Sequence, residues 1–175
     1  MFDEINKEQN EEMEFPWLIF KLKENLYTVN SKMITSIVIT PENITYVPNV
    51  PKYINGLIHL RGNVIPLIDL RVLFNMKSIK EELEESKNLS EQNETNNNKN
   101  DNDNEKEMVV VLENDNTFVG IMVDEVLSVD NIIPFEETEE IKKINKSNYI
   151  KGVAKGEKSN DILLILDEDK LMNLA

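Results

Sequence analysis

The sequence predicts an all-β protein, and three observations lead to that prediction. Apolar residues come in short runs rich in Val, Ile, Tyr and Phe, which is the length and composition of β-strands. Turn signals separate these runs, as at Arg61-Gly62-Asn63 and Asn114-Asp115-Asn116. Helical patterns are few and short. Many short strands without long helices are typical of small barrels or of a sandwich.

The predicted elements follow one another along the chain. Strands are predicted at 17–20, 26–29, 34–39, 57–60, 64–67, 108–112, 118–123 and 162–166. Short helices are predicted at 69–74, within 80–89, at 136–144 and at 167–174. The segment between Pro48 and Pro51 is expected to be extended and irregular, because proline disfavours helical backbone at the residue before it.

The negative charge is concentrated in two segments. The 175 residues carry 19 Lys and Arg against 33 Asp and Glu, a net charge of −14. Residues 1–14 and residues 77–107 each have a net charge of −5. Both segments hold too few apolar residues to offset the entropy of ordering them. We therefore expect 1–14 to be an acidic disordered tail and 77–107 to be an acidic, Asn-rich, low-complexity insertion, with a short helix in its first half.

The composition excludes several classes of function. A strongly acidic chain does not suit nucleic-acid binding, which needs a basic surface to displace counterions from phosphate. Without Cys and with one His, no disulfide, thiolate or multi-His metal site is expected. No phosphate-binding Gly loop or Ser-His-Asp set is present, so no catalytic, cofactor-binding or metal residue is predicted. The start of the chain does not resemble a secretory signal and no apolar run could cross a bilayer, so a cytoplasmic protein is predicted, without direct membrane insertion.

An internal repeat divides the chain into two related halves. The motif at 53–57 is followed by an apolar strand that ends in Asp69, and the similar motif at 149–153 by one that ends in Asp167. Each Asp is expected to cap a short helix rather than to act as a catalytic acid. The repeat predicts two small lobes within a single domain, 15–175, and neither lobe has a generous core, so they should pack on each other. The first lobe is expected mainly at 26–76 and the second mainly at 108–166, with the strand at 15–23 and the helix at 167–174 packing on both.

The stretch 53–71 resembles the CheW family of chemotaxis coupling proteins. The family pattern is an aromatic residue, a Gly, a small apolar pair, Asn-Leu-Arg-Gly, and then an apolar–Pro–apolar strand that ends in Asp-Leu-Arg; this chain matches nearly all of it. Residues 120–126, 149–152 and 163–171 resemble further family segments. The resemblance implies two five-stranded, SH3-like barrels packed side by side, without enzymatic activity or cofactor. It also implies an adaptor, monomeric on its own, that joins the cytoplasmic tips of chemoreceptors (methyl-accepting chemotaxis proteins) to the regulatory domain of the histidine kinase CheA.

The resemblance also implies two partner-binding sites. The kinase would bind the first lobe at Ile34, Ser36, Ile37 and Val38. The receptor would bind the groove between the lobes at Gly56, His59, Arg61 and Gly62. The sequence departs from the family in three places: His59 stands where the family has Asn, Ser36 stands where it typically has an acidic residue, and the insertion is longer.

Two alternative functions remain beside the chemotaxis adaptor. A CheW-like adaptor could serve a non-flagellar receptor–kinase pathway, such as motility by pili, and a small β-barrel enzyme is the alternative from another class. From residue type alone, Arg61 is more often a solvated charge or an internal bridge between the lobes than a binding residue. Its planar five-donor guanidinium, at a turn, nevertheless suits a carboxylate or carbonyl of a partner, and the resemblance favours that role.

Overall fold

The structure is a computed structural model, and it describes residues 15–90, 106–144 and 147–174. The predicted tail 1–14 and the Asn-rich part of the insertion, 91–105, lie outside the described residues. The described strands are β1 Trp17–Leu22, β2 Asn25–Asn30, β3 Ile34–Ile39, β4 Ile54–Leu60, β5 Asn63–Asp69, β6 Met108–Asn114, β7 Thr117–Val123, β8 Glu125–Asp130, β9 Ile132–Pro134, β10 Ile150–Gly156 and β11 Ile162–Leu166. The helices are α1 Leu70–Leu73, α2 Ile79–Ser90, α3 Glu139–Ile144 and α4 Glu168–Met172, with a 3-10 turn at Ser31–Met33.

The described strands form two sheets, which confirms the all-β class. The six-stranded sheet has the order β8-β1-β2-β11-β10-β9, and the five-stranded sheet has the order β3-β6-β7-β5-β4. Pairs of strands within each sheet are antiparallel except β5 with β7 and β11 with β2, which are parallel. In the six-stranded sheet, the hairpin β1–β2 from the first half of the sequence joins four strands of the second half. In the five-stranded sheet, the hairpin β6–β7 from the second half joins three strands of the first half.

Each half of the sequence thus contributes a hairpin to the sheet formed mainly by the other half, whereas the sequence predicted that each half forms its own lobe. Segment 108–123, expected in the second lobe, pairs with β3 and β5 of the first half, and β1–β2 pairs with β8 and β11 of the second half. The connections explain why. A single residue, Asp124, joins β7 to β8, and a hairpin needs about two residues for its turn. Strand β8 therefore leaves the five-stranded sheet and pairs with β1.

Outside these two hairpins, the two halves of the sequence share two local features, a register shift in a strand and a short helix capped by Asp. A register shift occurs between Ile54 and Gly56 in β4, and a corresponding shift occurs between Ile150 and Gly152 in β10. The predicted helix caps are confirmed: Asp69 accepts a hydrogen bond from the backbone N–H of Val72, and Asp167 accepts one from Lys170. Both carboxylates thereby satisfy backbone donors that the first turn of a helix leaves free.

Most of the core lies between the two sheets, as expected for lobes that are too small to be stable alone. Its buried side chains come from β1 and β2 of the six-stranded sheet, from β5, β6 and β7 of the five-stranded sheet, and from the C-terminal end of the chain. Smaller clusters lie within each sheet, around Val109 in one and around Trp17 in the other. Burial of this apolar surface from both sheets is the main term that holds them together.

Helix α2 confirms that the first half of the insertion is helical. Ser78 caps it, with its hydroxyl accepting from the N–H of Glu81 while the Glu81 carboxylate accepts from the N–H of Ser78. This reciprocal arrangement is a capping box. The helix is otherwise exposed, with Leu83 and Leu89 48% and 67% accessible, so it contributes little to the core.

We expect the insertion to be dispensable for folding. Replacing residues 80–104 by a short Gly/Ser linker removes an exposed helix and the ion pairs of Glu82, which is 39% exposed. Exposed ion pairs contribute about 0–1 kcal/mol, and changes in loop length cost little closure entropy. The free energy of unfolding, measured by urea denaturation, should change by less than about 1 kcal/mol. A larger loss would mean that the replaced segment packs on the domain.

Candidate functional site

Strand β3 is at an edge of the five-stranded sheet, and its side chains alternate between solvent and core. Ile37 and Ile39 are 40% and 55% exposed. Ile34 packs on the core between the sheets and Val38 on the cluster within its own sheet, while Ser36 is half-buried. Of the predicted kinase-binding set, Ile37 is therefore the exposed apolar member, and Ile34 and Val38 serve mainly in packing. Sequence reasoning missed Ile39, although strict alternation along the strand places it on the same face as Ile37.

The turn between β4 and β5 consists of Arg61 and Gly62. Leu60 pairs with Asn63, so the loop has two residues, and their φ angles are +50° and +84°. Positive φ at both central residues is the geometry of a type I′ hairpin turn. A Cβ at Gly62 would meet no atom within 4 Å, so the backbone angle rather than space favours glycine there. The turn thus presents the exposed Arg61 side chain at the tip of a rigid hairpin.

Arg61 connects the two predicted binding sites. Its Nη1 donates a hydrogen bond of 3.1 Å to Oγ of Ser36 on β3. The residue predicted to contact the receptor therefore touches a residue predicted to contact the kinase. Strands β3 and β4 are the two edge strands of the five-stranded sheet, so this hydrogen bond joins its opposite edges. The sequence, in which Ser36 and Arg61 lie 25 residues apart, gives no sign of this contact.

Gly56 and His59 have different environments within β4. His59 is exposed and pairs across the strand with Val64, which is 61% exposed. Gly56 is buried, with φ +149°, and an added Cβ would lie 2.6 Å from the carbonyl oxygen of Thr45. Thr45 and Leu57 exchange two backbone hydrogen bonds there, so Gly56 lets the preceding loop approach the strand closely. Any influence of Gly56 on the receptor must therefore act through the shape of this loop.

Four charged side chains form an ion cluster between the two sheets. Arg71 on α1 makes two hydrogen bonds to the Asp124 carboxylate, from Nε at 2.7 Å and from Nη2 at 2.6 Å, and a third from Nη1 to Glu82 of α2 at 2.9 Å. Lys23, in the turn between β1 and β2, donates its backbone N–H to Asp124 at 2.8 Å and pairs through Nζ with Glu82. The side chains of Arg71 and Asp124 are 9% and 13% exposed. This inter-sheet ion cluster was not predicted from the sequence.

The charges of the cluster perturb one another as their contacts imply. Burial alone would lower the pKa of the Arg71 guanidinium, but hydrogen bonds and attraction from Asp124 and Glu82 outweigh it and raise that pKa. The hydrogen bonds from Lys23 and Arg71 lower the pKa of Glu82. Burial raises the pKa of the neighbouring cap, Asp69. The hydrogen bonds of Arg71 to Asp124 and Glu82 therefore connect the six-stranded sheet to the five-stranded one.

A second apolar surface lies on the six-stranded sheet. A groove of about 660 Å³ opens between β9, β10 and the start of β1, and its walls include Trp17, Ile132, Phe135, Val153 and Ile165. Phe135 at its edge is 44% exposed. This groove was also missed from the sequence, because no element was predicted between the strand at 118–123 and the helix at 136–144, and residues 131–135 line it.

Two absences hold for the part of the chain that the structure describes. Within residues 15–90, 106–144 and 147–174, no group of three or more His, Asp or Glu side chains could hold a metal ion. In the same ranges, no helix is long and apolar enough to cross a membrane.

Exposed edge strands, an Arg-tipped hairpin and an open apolar groove define a domain that binds other proteins through its surface. The chain belongs to the CheW-like domain family, whose model matches residues 16–175. It is 39% identical over 75 residues to the chemotaxis protein CheW of Helicobacter pylori, a match that covers 43% of this chain and 44% of that protein. It is 26% identical to the chemotaxis protein CheW of Klebsiella aerogenes, over 97% of this chain and 88% of that one.

The fold is also that of a solved relative. The scaffolding protein TtCheW from Thermoanaerobacter tengcongensis superposes with a TM-score of 0.59 at 23% identity, over 87% of this chain and 88% of that one. Family membership makes the chain a chemotaxis adaptor or scaffold and not an enzyme. The resemblance to the CheW family seen in the sequence is thus confirmed.

Proposed function

We propose that this chain couples chemoreceptors to a CheA-type histidine kinase and is recruited for this purpose to membrane-associated receptor arrays. The kinase regulatory domain binds at β3, around Ile37, Ile39 and Ser36. The receptor tip binds beside the β4–β5 turn, at His59, Arg61 and Gly62. Residues Ile34 and Val38 support the kinase site from the core side, and Gly56 supports the receptor site by shaping the adjoining loop.

The observation that carries this proposal is the hydrogen bond from Arg61 to Ser36. An adaptor must do more than hold two partners, because the state of one has to change the contacts of the other. A receptor that draws the Arg61 guanidinium into its own hydrogen bonds takes it away from Ser36 on the kinase-binding strand. The two receptor states then differ in the contacts available to the kinase, which is the free-energy difference that coupling requires.

Replacing Arg61 by Ala should weaken receptor-dependent kinase activation while the domain stays folded. The side chain is exposed, so the free energy of unfolding should change by less than about 1 kcal/mol. Loss of a charge-assisted contact at an interface costs about 1.5–3 kcal/mol, or about 10- to 100-fold in affinity for the receptor. Kinase autophosphorylation in reconstituted receptor–kinase complexes and receptor affinity measured separately provide the two readouts.

The matched control is Ser36→Ala, which removes the internal hydrogen bond but leaves the Arg61 guanidinium. This variant should bind the receptor at least as tightly, because the guanidinium no longer has to leave Ser36, and it should reduce the difference in kinase activity between receptor states. Normal coupling in a folded Arg61→Ala variant would refute the role of Arg61. A pull-down with the organism's own kinases and receptors identifies the pathway, and failure to retain any kinase or receptor would refute the proposed function itself.

A further inference from the structure

The apolar groove between β9, β10 and the start of β1 is open to solvent in the described part of the chain. Its volume of about 660 Å³ lies within the range of pockets that hold small ligands, about 300–1,000 Å³. Ile133 and Phe135 on its walls are 47% and 44% exposed. Apolar walls that remain exposed in this way mark a surface that another segment or another protein covers.

The described part of the chain begins at one wall of this groove. Trp17, the first residue of β1, lines it. Just before it, the Pro16 carbonyl oxygen accepts a 3.0 Å hydrogen bond from the first N–H of the 3-10 turn, and Nζ of Lys32 lies 6.0 Å from the centre of the Phe15 ring. These contacts fix the point at which the acidic tail, residues 1–14, joins the domain, about 11 Å of backbone at most from the groove wall.

The acidic tail has two large apolar side chains at a distance from this point. They are Phe2 and Ile5, and the residues that follow them, 6–12, are all polar or charged. The chain from Ile5 to Trp17 spans up to about 40 Å, so it is long enough for the tail to turn back and reach the groove. A segment that is too poor in apolar residues to fold by itself can bind through a few such anchors.

Two lysines lie at the point where the acidic tail joins the domain. Lys32 and Lys151 have their Nζ atoms over aromatic rings there, at 6.0 and 5.9 Å from the ring centres. Lys151 also pairs with the buried Glu168, and 31% of its side chain remains exposed. Residues 8–14 contain four of the six acids of the tail. Attraction between these acids and the lysines keeps the tail on the side of the domain that carries the groove.

The opposite combination of charges occurs in the groove. Its walls include the exposed residues Glu137 and Glu157, and Lys7, the one basic residue of the tail, follows Ile5 by two positions. Ile5 in the groove brings the Lys7 ammonium near these carboxylates, and the two acids between the apolar anchors then point to solvent. Complementary charges at both ends select one orientation of a bound segment.

We propose that the acidic tail folds back and places Phe2 and Ile5 in the apolar groove beside Trp17. The tail then covers the groove in the free chain, and a protein that binds there first has to displace it. Contact through two side chains is weak, but attachment to the domain gives the tail an effective concentration of about 1 mM or more. A dissociation constant of about 1 mM for the separate segment therefore suffices to occupy half of the grooves.

The test uses the whole chain without any partner, so it succeeds or fails separately from the proposed function. Trp17 is the only Trp of the chain, so its indole N–H gives a single signal in nitrogen-15 NMR spectra, and this signal reports on the groove wall. The double variant Phe2→Ser with Ile5→Ser should shift it. Met13→Ser, which removes an apolar side chain of the tail outside the proposed contact, is the matched control and should leave the signal near its original position.

A synthetic peptide with the sequence of residues 1–14 tests the contact from the other side. Added to the double variant, it should return the indole signal towards its original position and saturate with a dissociation constant of about 1 mM or lower. Phe135→Ser removes an exposed aromatic wall of the groove. This change should weaken peptide binding about tenfold, the usual effect of losing one buried apolar contact.

A spin label locates the tail directly. The chain has no Cys, so Glu4→Cys provides one attachment site between the two anchors. The nitroxide should broaden the methyl signals of Ile133 and Val153 on the groove walls and leave those of Val64, on the five-stranded sheet, sharp. Adding the two Ser substitutions to the labelled chain should reduce the broadening several-fold.

Three results would overturn the proposal. An indole signal that the double variant leaves unchanged would mean that the tail does not reach the groove wall. A peptide that shows no saturation up to about 5 mM would bind too weakly to cover the groove even when attached. Broadening that is independent of Phe2 and Ile5 would mean that the tail is near the groove only because it is joined to the domain there. In each case the groove is left to another protein.

Discussion

Replacing Arg71 by Ala is expected to destabilise the domain by about 3–5 kcal/mol, the usual cost of removing one partner of a buried ion pair. The guanidinium is 9% exposed and holds the Asp124 carboxylate through two short hydrogen bonds. Without it, Asp124 remains partly buried with only the backbone N–H of Lys23 as a described partner. The free energy of unfolding from urea denaturation at pH 7 gives the measurement.

Two further variants separate this pair from the rest of the cluster. Glu82→Gln removes the exposed partner on α2 and should cost less than about 1 kcal/mol. The double variant Arg71→Met with Asp124→Leu removes both charges, and it should recover much of the lost stability because no buried charge is left unpaired. If Arg71→Ala and Asp124→Ala each cost less than about 1 kcal/mol, the two sheets are held together by their apolar core alone.

Replacing Ile37 by Asp is expected to abolish most of the binding to the kinase regulatory domain. Ile37 and Ile39 form the exposed apolar pair of β3, and a charge in the centre of an apolar contact leaves an unpaired carboxylate when the partner covers it. Central contacts of this kind are worth about 2 kcal/mol or more, so the dissociation constant should rise by at least about 30-fold. Isothermal titration calorimetry with the kinase domain measures it.

The control introduces the same charge elsewhere. Ile162, on β11 of the six-stranded sheet, is 65% exposed, so Ile162→Asp should bind the kinase like the original chain. Circular dichroism and the unfolding midpoint should be nearly unchanged for both variants, because neither side chain is buried. A folded Ile37→Asp variant with unchanged kinase affinity would move the kinase site away from β3.

Strands that contain a continuous run of apolar residues could be predicted from the sequence. Strands β1, β3, β6, β7 and β11 lie within a few residues of the predicted positions, because apolar runs bounded by turn residues survive in the folded chain. Strand β8 was missed, since Leu127, Ser128 and Val129 all face solvent and the segment shows no alternation of apolar and polar positions. It is a strand because β1 provides its hydrogen bonds, which is information from another part of the chain.

The candidate site likewise combines features that the local sequence predicts with features that depend on distant segments. The repeat motif, the helix caps at Asp69 and Asp167 and the Arg-Gly turn are local features, and each was readable from neighbouring residues. Whether Ile34 or Ile37 faces solvent depends on which side of β3 meets the core, and a strand that is apolar at most positions does not reveal this. The role of Gly56 likewise depends on the loop at Thr45 that covers it.

The sequence by itself determined the class of fold, the internal repeat, the family and the position of the insertion, because each depends on residues close together along the chain. Only the tertiary structure decided which hairpin joins which sheet, the pairing of Arg71 with Asp124 across 53 positions, and the contact between Arg61 and Ser36. These contacts join distant segments, and what selects them is the burial of apolar faces and the pairing of buried charges in the assembled fold, which no local pattern of residues encodes.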